Sequence, residues 1–407
     1  MKKSFYKALS LILALTLMFT VVGCGGNTST GTGSNPDATA SPLDTGSENA
    51  ISATEAASGD GVIRFAVCSP LTGDMAEQGY QEVNGAQMAI DEINVAGGVN
   101  GKKFELVAMD DMGNPNQSTI VAEKIVADDS IEFVIAHMFS GCTMAAMPTY
   151  LKKNIAVFGP GNSRTDLTEQ GWTNYLRICP ADIHAIKAMV DYAVAQGYER
   201  PFVFYQNGAN EVSAFGIMKD YLKTEYSIEL VGSETFAPET DRDFSSHIAK
   251  IKESNADIVL MSCEYSPAAL LAKQLETMGV DVDLLGLGGV SNPALIELAG
   301  EAAEGIMCTC AFDPTNPDSG VQAFVKEYSG KHGLNPNDVA AWSYEIMYAI
   351  AEAYENGATA EILSMWMREN TDYKGATGNI RFDENGDNIE AKTYILKVEN
   401  GVFTLIK

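Results

Sequence analysis

The chain is predicted to fold as α/β, with two doubly wound parallel-sheet lobes. Short apolar strand patterns alternate with amphipathic helical stretches of ten to fifteen residues, and this cycle runs through twice before the pattern changes. The final segment differs, with three helical stretches in succession followed by two Asn-Gly turns.

In the first cycle, Val62 to Cys68 is an apolar strand pattern followed by a Gly-containing loop and an amphipathic stretch from Tyr80 to Asn94. Gly97-Gly98 ends that helix, and Phe104 to Met109 is the next strand. Pro115 stands where a helix can start, because its missing N–H has no intrahelical partner to lose. Gln117 to Ala127 has helical periodicity, and Phe133 to Ala136, Ala156 to Phe158 and Tyr175 to Ile178 continue the strands. The second cycle predicts helices over 183–195, 213–224, 244–254, 267–278 and 294–300. Its strands fall at 202–205, 228–236, 258–262 and 283–287, and helices are then expected over 320–332, 337–356 and 359–369. The turns at Asn385-Gly386 and Asn400-Gly401 read as hairpins.

The amino terminus reads as an export signal. Lys2, Lys3 and Lys7 precede an apolar run from Leu11 to Val22 that is short for a bilayer span. Val21-Val22-Gly23-Cys24 resembles a bacterial lipobox, in which Cys24 carries the lipid. Residues 1–23 are then a lipoprotein signal peptide. Residues 24–60, rich in Gly, Ser, Thr, Asn and Ala, bury too little apolar surface to fold and form a tether. Such a chain works just outside a membrane, held there by lipid alone.

A formal net charge of −27 argues against nucleic acid, which needs a clustered basic face. The six remaining cysteines, Cys68, Cys142, Cys179, Cys263, Cys308 and Cys310, sit mostly at ends of apolar strand patterns, as small hydrophobes do. Their even number also permits disulfides. Catalytic signatures fail one by one. There is no G-x-S-x-G, and Gly286-Leu287-Gly288-Gly289 lacks the third glycine of a dinucleotide loop. The four histidines have no zinc spacing, and Asp383 to Asp387 is too short for a calcium loop. The expectation is a binding protein without cofactor or metal, and not an enzyme.

In open α/β sheets ligands bind beyond the carboxyl ends of strands. Those positions hold Ser69 to Gly73, Asp110-Asp111, His137 to Thr143, Gly159 to Ser163, Gln206 to Asn210, Cys263 to Ser266 and Gly288 to Asn292. The set is rich in Ser, Asn, Gly and Tyr, which suits hydrogen bonding to a small polar ligand.

The segments AVCSPLTGDMAEQGYQEVNGAQMAIDEIN, VIAHMFSGCTMAAMPTYLKKNIAVFGPGNSRTDLTEQG and GVSNPALIELAGEAAEG are similar to type I periplasmic binding proteins, in the leucine/isoleucine/valine-binding family of ABC importers. The resemblance spans about Val62 to Phe382. It implies two lobes joined by three crossovers, near 180, 311 and 379, that close on ligand by hinge motion. Lobe 1 is then 61–180 plus 312–379, and lobe 2 is 181–311 plus 380–407. It further implies a monomeric, lipid-anchored, extracytoplasmic protein that delivers ligand to a permease and ATPase. A protein presenting its ligand state to a membrane receptor shares the fold.

Placed on this chain, the family's carboxylate-binding serine is Ser140, next to Phe139, and Gly161, Asn162 and Ser163 occupy the assisting loop. Tyr265 matches a second-lobe tyrosine. Three positions depart: Gln78 replaces an aromatic residue, Asn210 stands nearest to a lost tyrosine, and Gly288 replaces the acid that holds an ammonium. Either Glu264 takes over that role, or the ligand lacks an α-ammonium. Serines at Ser140 and Ser163 would also serve as helix N-caps.

Overall fold

The computed structural model describes residues 61–406 except Asp74 and Glu239. The export signal, Cys24 and the 24–60 tether therefore lie outside the described residues. Among the described residues no helix is long and apolar enough to cross a membrane.

Strands and helices alternate first as β1 (Val62–Ser69), α1 (Ala76–Val95), β2 (Lys103–Asp110), α2 (Pro115–Ala127), β3 (Ile131–Ala136), α3 (Ser140–Tyr150), β4 (Ala156–Gly159) and β5 (Tyr175–Arg177). These five strands form one all-parallel sheet in the order β2-β1-β3-β4-β5. The chain then runs through α4 (Asp182–Ala195), β6 (Pro201–Gln206), α5 (Ala209–Tyr226), β7 (Gly232–Phe236), α6 (Ser245–Ser254), β8 (Ile258–Ser262), α7 (Tyr265–Thr277), β9 (Asp283–Gly286), α8 (Pro293–Ala299) and β10 (Met307–Cys310). After α9 (Ser319–His332), α10 (Asp338–Glu355), α11 (Leu363–Asn370) and the small antiparallel pair β11 (Tyr373–Lys374) and β12 (Asn379–Ile380), it ends in β13 (Tyr394–Glu399) and β14 (Val402–Leu405). The second sheet has seven strands in the order β14-β13-β10-β9-β8-β6-β7, with β13 and β14 antiparallel and the rest parallel.

Each sheet is covered on both faces, which is what its nearly continuous apolar strands require. On one face of the first sheet Phe65, Phe133 and Phe158 pack against α1, α10 and α11, whose contributions include Ile90, Ile346, Ile350 and Met367. Val121, Ile125, Ala146 and Tyr150 from α2 and α3 cover the other face. In the second sheet α6, α7 and α8 cover one side and α4 and α5 the other. Helix α10 thus returns to the first lobe after all of the second sheet except β13 and β14 has been made. At the crossing of α1 and α10, a Cβ on Gly85 would fall 2.1 Å from the Ala340 carbonyl oxygen, so glycine is what lets the two backbones meet.

Helix starts follow their capping chemistry. Asn114 accepts from the amides of Asn116 and Gln117 with Pro115 in the first helical position, and Asn337 accepts from the Ala340 amide. The chain passes between lobes from the carboxyl end of β5, from the carboxyl end of β10, and between β12 and β13. Ile178, Ala311 and Asn388, one from each passage, line the same small recess.

One local expectation is corrected. The strand expected from 228 starts at Gly232, because Ser227 ends α5 with φ 57° and the Ile228 amide still bonds to the Leu222 carbonyl. Asn385-Gly386 does sit in a short hairpin turn, with the flanks joined by an antiparallel bridge between Phe382 and Asn388 and the Asp383 carboxylate accepting from the Asn385 and Asp387 amides. Asn400-Gly401 does join β13 to β14, with φ of 56° and 75° as a two-residue hairpin turn needs. All six described cysteines are unpaired thiols, and all but Cys310 are buried.

Candidate functional site

Because two passages leave from the carboxyl ends of β5 and β10, the carboxyl ends of both sheets lie at the crossing region. The first sheet presents the start of α3 there. Phe139 precedes the helix with extended backbone, and its carbonyl accepts from the Cys142 and Thr143 amides. The Ser140 and Gly141 amides belong to the first turn, where no intrahelical acceptor exists. The Ser140 Oγ accepts from the Arg164 amide at 3.3 Å, which leaves its own proton free to donate. An anion placed there meets several donors and the positive end of a helix.

The neighbouring loop is held from beneath. Asn162 is 0% exposed: it donates to the His137 carbonyl and accepts from the Tyr175 hydroxyl at 3.1 Å. Its side chain is turned into the lobe and positions the loop, so it does not face a ligand. Gly161 lies against Met138, where an added Cβ would fall 2.8 Å from the Met138 carbonyl oxygen and 3.3 Å from a Val339 methyl. The Ser163 carbonyl accepts from the Asp182 amide at 2.7 Å. Burial pushes the Asp182 carboxyl up, while the Ser163 hydroxyl and Arg177 pull it back.

Arg177 organises this loop. Its guanidinium, 0% exposed, donates to Asp387 at 2.5 Å, to the Asn162 carbonyl at 3.2 Å, to the Arg164 carbonyl and to the Thr168 hydroxyl at 2.8 Å. Burial opposes its charge, but the Asp387 hydrogen bond and neighbouring groups outweigh that and raise its pKa. Asp387 belongs to the third passage between lobes, so this ion pair ties that passage to β5.

On the second lobe, Glu264 precedes α7 and its amide donates to the Gln206 side chain at 3.0 Å, joining the ends of β6 and β8. A Cβ on Gly289 would lie 3.2 Å from Glu264 Oε2, so this carboxylate stands beside Gly289, the residue after Gly288. Burial of the carboxyl, then the charge of Glu211, pushes its pKa up, although the residue keeps solvent contact. Tyr265 is half buried against the second-lobe core. Gln78 on α1, Asn210 on α5 and Gly288 are exposed.

Asp111 and His137, expected at ligand-facing strand ends, are instead buried, and Asp338 and Glu82 were not read from the sequence. Asp111, His137 and Tyr150, each 0% exposed, form a sealed chain with His137 Nδ1 2.6 Å from Asp111 and Nε2 3.1 Å from the Tyr150 hydroxyl. Nothing in it reaches a ligand. Asp338 opens α10 beside the Gly161 loop and was missed because it follows no strand. Glu82 on α1 is also 0% exposed; the Ser69 hydroxyl donates to one oxygen at 2.9 Å and the other has no partner.

Burial pushes the Glu82 carboxyl well above the usual range; Ser69 opposes this and the Asp111 charge adds to it. A folded-state pKa above the unfolded value means that folding retains a proton, so this contribution is full at low pH and is lost as pH rises. Urea midpoints between pH 5 and 9 are therefore expected to fall less steeply for Glu82→Gln than for the native chain. Equal slopes would show that Glu82 is charged in the fold.

A recess lined by Ile63, Lys102, Glu132, Lys153 and Tyr354 opens at the amino ends of β1 and β3, away from Ser140. Its Glu132 already accepts from Tyr354 at 2.8 Å. Among the described residues no group of three or more His, Cys, Asp or Glu is placed to hold a metal.

The family pattern described as periplasmic binding protein matches residues 62–402. The chain belongs to the periplasmic binding protein family. Membership makes it an extracytoplasmic ligand-binding protein and not an enzyme. The binding protein is 30% identical over 325 residues to Leu/Ile/Val-binding protein homolog 1 of Brucella melitensis, covering 78% of this chain and 85% of that one. It is 29% identical over 335 residues to a leucine-, isoleucine-, valine-, threonine- and alanine-binding protein of Pseudomonas aeruginosa, covering 80% and 87%. A leucine-binding protein from Thermotoga maritima superposes with TM-score 0.72 at 26% identity, covering 85% of this chain and 98% of that one. A solute-binding protein from R. palustris, solved in complex with benzoate, shares the fold, with TM-score 0.70 at 18% identity, covering 85% of this chain and 96% of that one.

Proposed function

We propose that this binding protein is the lipid-anchored, substrate-binding component of an ABC importer, and that it captures a small amino acid between its lobes. The observation that carries the reading is a polarised site. Lobe 1 offers Ser140 with the free amides at the start of α3, and lobe 2 offers the Glu264 carboxylate beside Gly289. A zwitterion placed with its carboxylate on the first and its ammonium on the second joins the two lobes. Its binding free energy is then spent on closure, the hinge motion that presents a loaded protein to a permease and ATPase. Cys24 is the acylation site in this reading, and the 24–60 segment is the tether.

Several relatives are named for leucine, isoleucine and valine, and this similarity supports an amino-acid ligand. Thermal-shift measurements with amino acids on one plate, and ammonium-free acids, amides and nucleosides on another, test the reading. A ligand at 1,000 times its dissociation constant adds about 4 kcal/mol of stability. Shifts with amino acids are expected; shifts confined to the second plate would overturn the zwitterion. Ser140→Ala should weaken the ligand that shifts the native chain by about 1–3 kcal/mol, leaving the unliganded melting temperature in place. Unchanged affinity would remove Ser140 from the site.

A further inference from the structure

Among the carboxylates near the crossing region that the zwitterion leaves unused is Asp338. Asp338 is the first residue of α10, but it is not needed as the helix cap, since Asn337 already accepts from the Ala340 amide at 3.0 Å. Its own Oδ1 accepts only from the adjacent Val339 amide, at 2.9 Å. Val339 rests on Gly161, and Gly161 rests on Met138, two residues before Ser140. Asp338 therefore adjoins the residue that packs on the Gly161 loop of the candidate anion site.

The groups around Asp338 come from different passages between the lobes. The Cys310 thiol, at the end of β10, is pushed up to about 12 by burial and then by the Asp338 charge beside it. Cys179, just after β5, also feels that charge. Burial pushes the Asp338 carboxyl itself up. Among the described residues no Lys, Arg or His forms an ion pair with Asp338, Glu264 or Glu211. A half-buried carboxylate without a cation is costly, and a ligand that brings one removes the cost. One zwitterion brings a single positive charge, which Glu264 takes in the reading above. A second cationic group is what remains to be matched.

We propose, building on the amino-acid reading, that Asp338 is a specificity-determining residue that holds a second cationic group, so that the ligand class is the basic, diamino-type amino acids. The side chain of such a ligand runs along the Gly161 wall toward the crossing region, where the Asp338 carboxylate meets its ammonium.

Lysine and norleucine test this directly, because they share the same carbon chain and differ in the terminal ammonium. Isothermal titration of the purified protein is expected to show lysine binding at least tenfold more tightly than norleucine. In Asp338→Asn, which keeps the acceptor for the Val339 amide, that preference should vanish while norleucine affinity changes less than threefold. Asp338→Glu, which keeps the charge, should retain most of the preference, and melting temperatures report whether each variant is folded. Norleucine binding as well as lysine to the native protein overturns the assignment while leaving the amino-acid reading intact. A lysine preference that survives in Asp338→Asn also overturns it. Binding of neither, with shifts only from ammonium-free acids, overturns both.

Discussion

Replacing Arg177 with Met is expected to lower the unfolding free energy by about 3–5 kcal/mol and to weaken ligand binding at the same time. The guanidinium is 0% exposed, so water cannot replace it cheaply. Its loss strands Asp387 and the carbonyls of Asn162 and Arg164, all of which accept from it. Those carbonyls belong to the loop that carries Gly161 and Ser163, and so the damage reaches the candidate site. Removing the orphaned charge as well, with Asp387→Asn in the Arg177→Met background, should return part of the lost stability. Urea midpoints and ligand titrations on the single and double variants measure both effects. A single variant with native midpoint and affinity would show that the ion pair does not organise the loop.

Phe133→Ala is expected to cost a similar 3–5 kcal/mol but to leave the affinity of the folded molecules within a few-fold of native. Phe133 lies on the central strand β3, 0% exposed, stacked on Phe65 at 4.7 Å and meeting Phe158 edge-on at 6.0 Å. Its removal leaves a cavity between the sheet and helices α1 and α10 without touching the strand end. The contrast with Arg177 separates a core residue from a positioning one. If affinity fell in parallel with stability in both variants, the core and the strand-end loops would not be independent.

The two-lobed architecture was legible because it is written in local periodicity. Strands such as β1 and β8 are runs of apolar residues, and the helices between them repeat at 3.6 residues. The candidate anion site was legible for the same reason, since Ser140 and the Gly161 loop follow strands directly. What periodicity does not encode is where distant segments come to rest. Asp338 looks like an ordinary first-turn acid until α10 is seen lying on α1. Asn162 looks like a ligand donor until Tyr175 and His137 are found to use its amide. Gln78 and Asn210 are exposed. Arg177 and its partner Asp387 are 210 positions apart in the chain, a pairing that no local pattern carries.

The return of α10 to the first lobe also sets a timetable. The last strand of the five-stranded sheet, β5, ends at Arg177, whereas α10 starts only at Asp338, roughly 160 residues later. Until then, the face built from Phe65, Phe133 and Phe158 has only α1 to cover it. At synthesis rates of ~5–20 residues per second, that interval lasts roughly 10–30 s. During it, the nascent chain carries an unfinished apolar surface, one that holdase chaperones recognise, and the first lobe cannot lock before most of the polypeptide has been made.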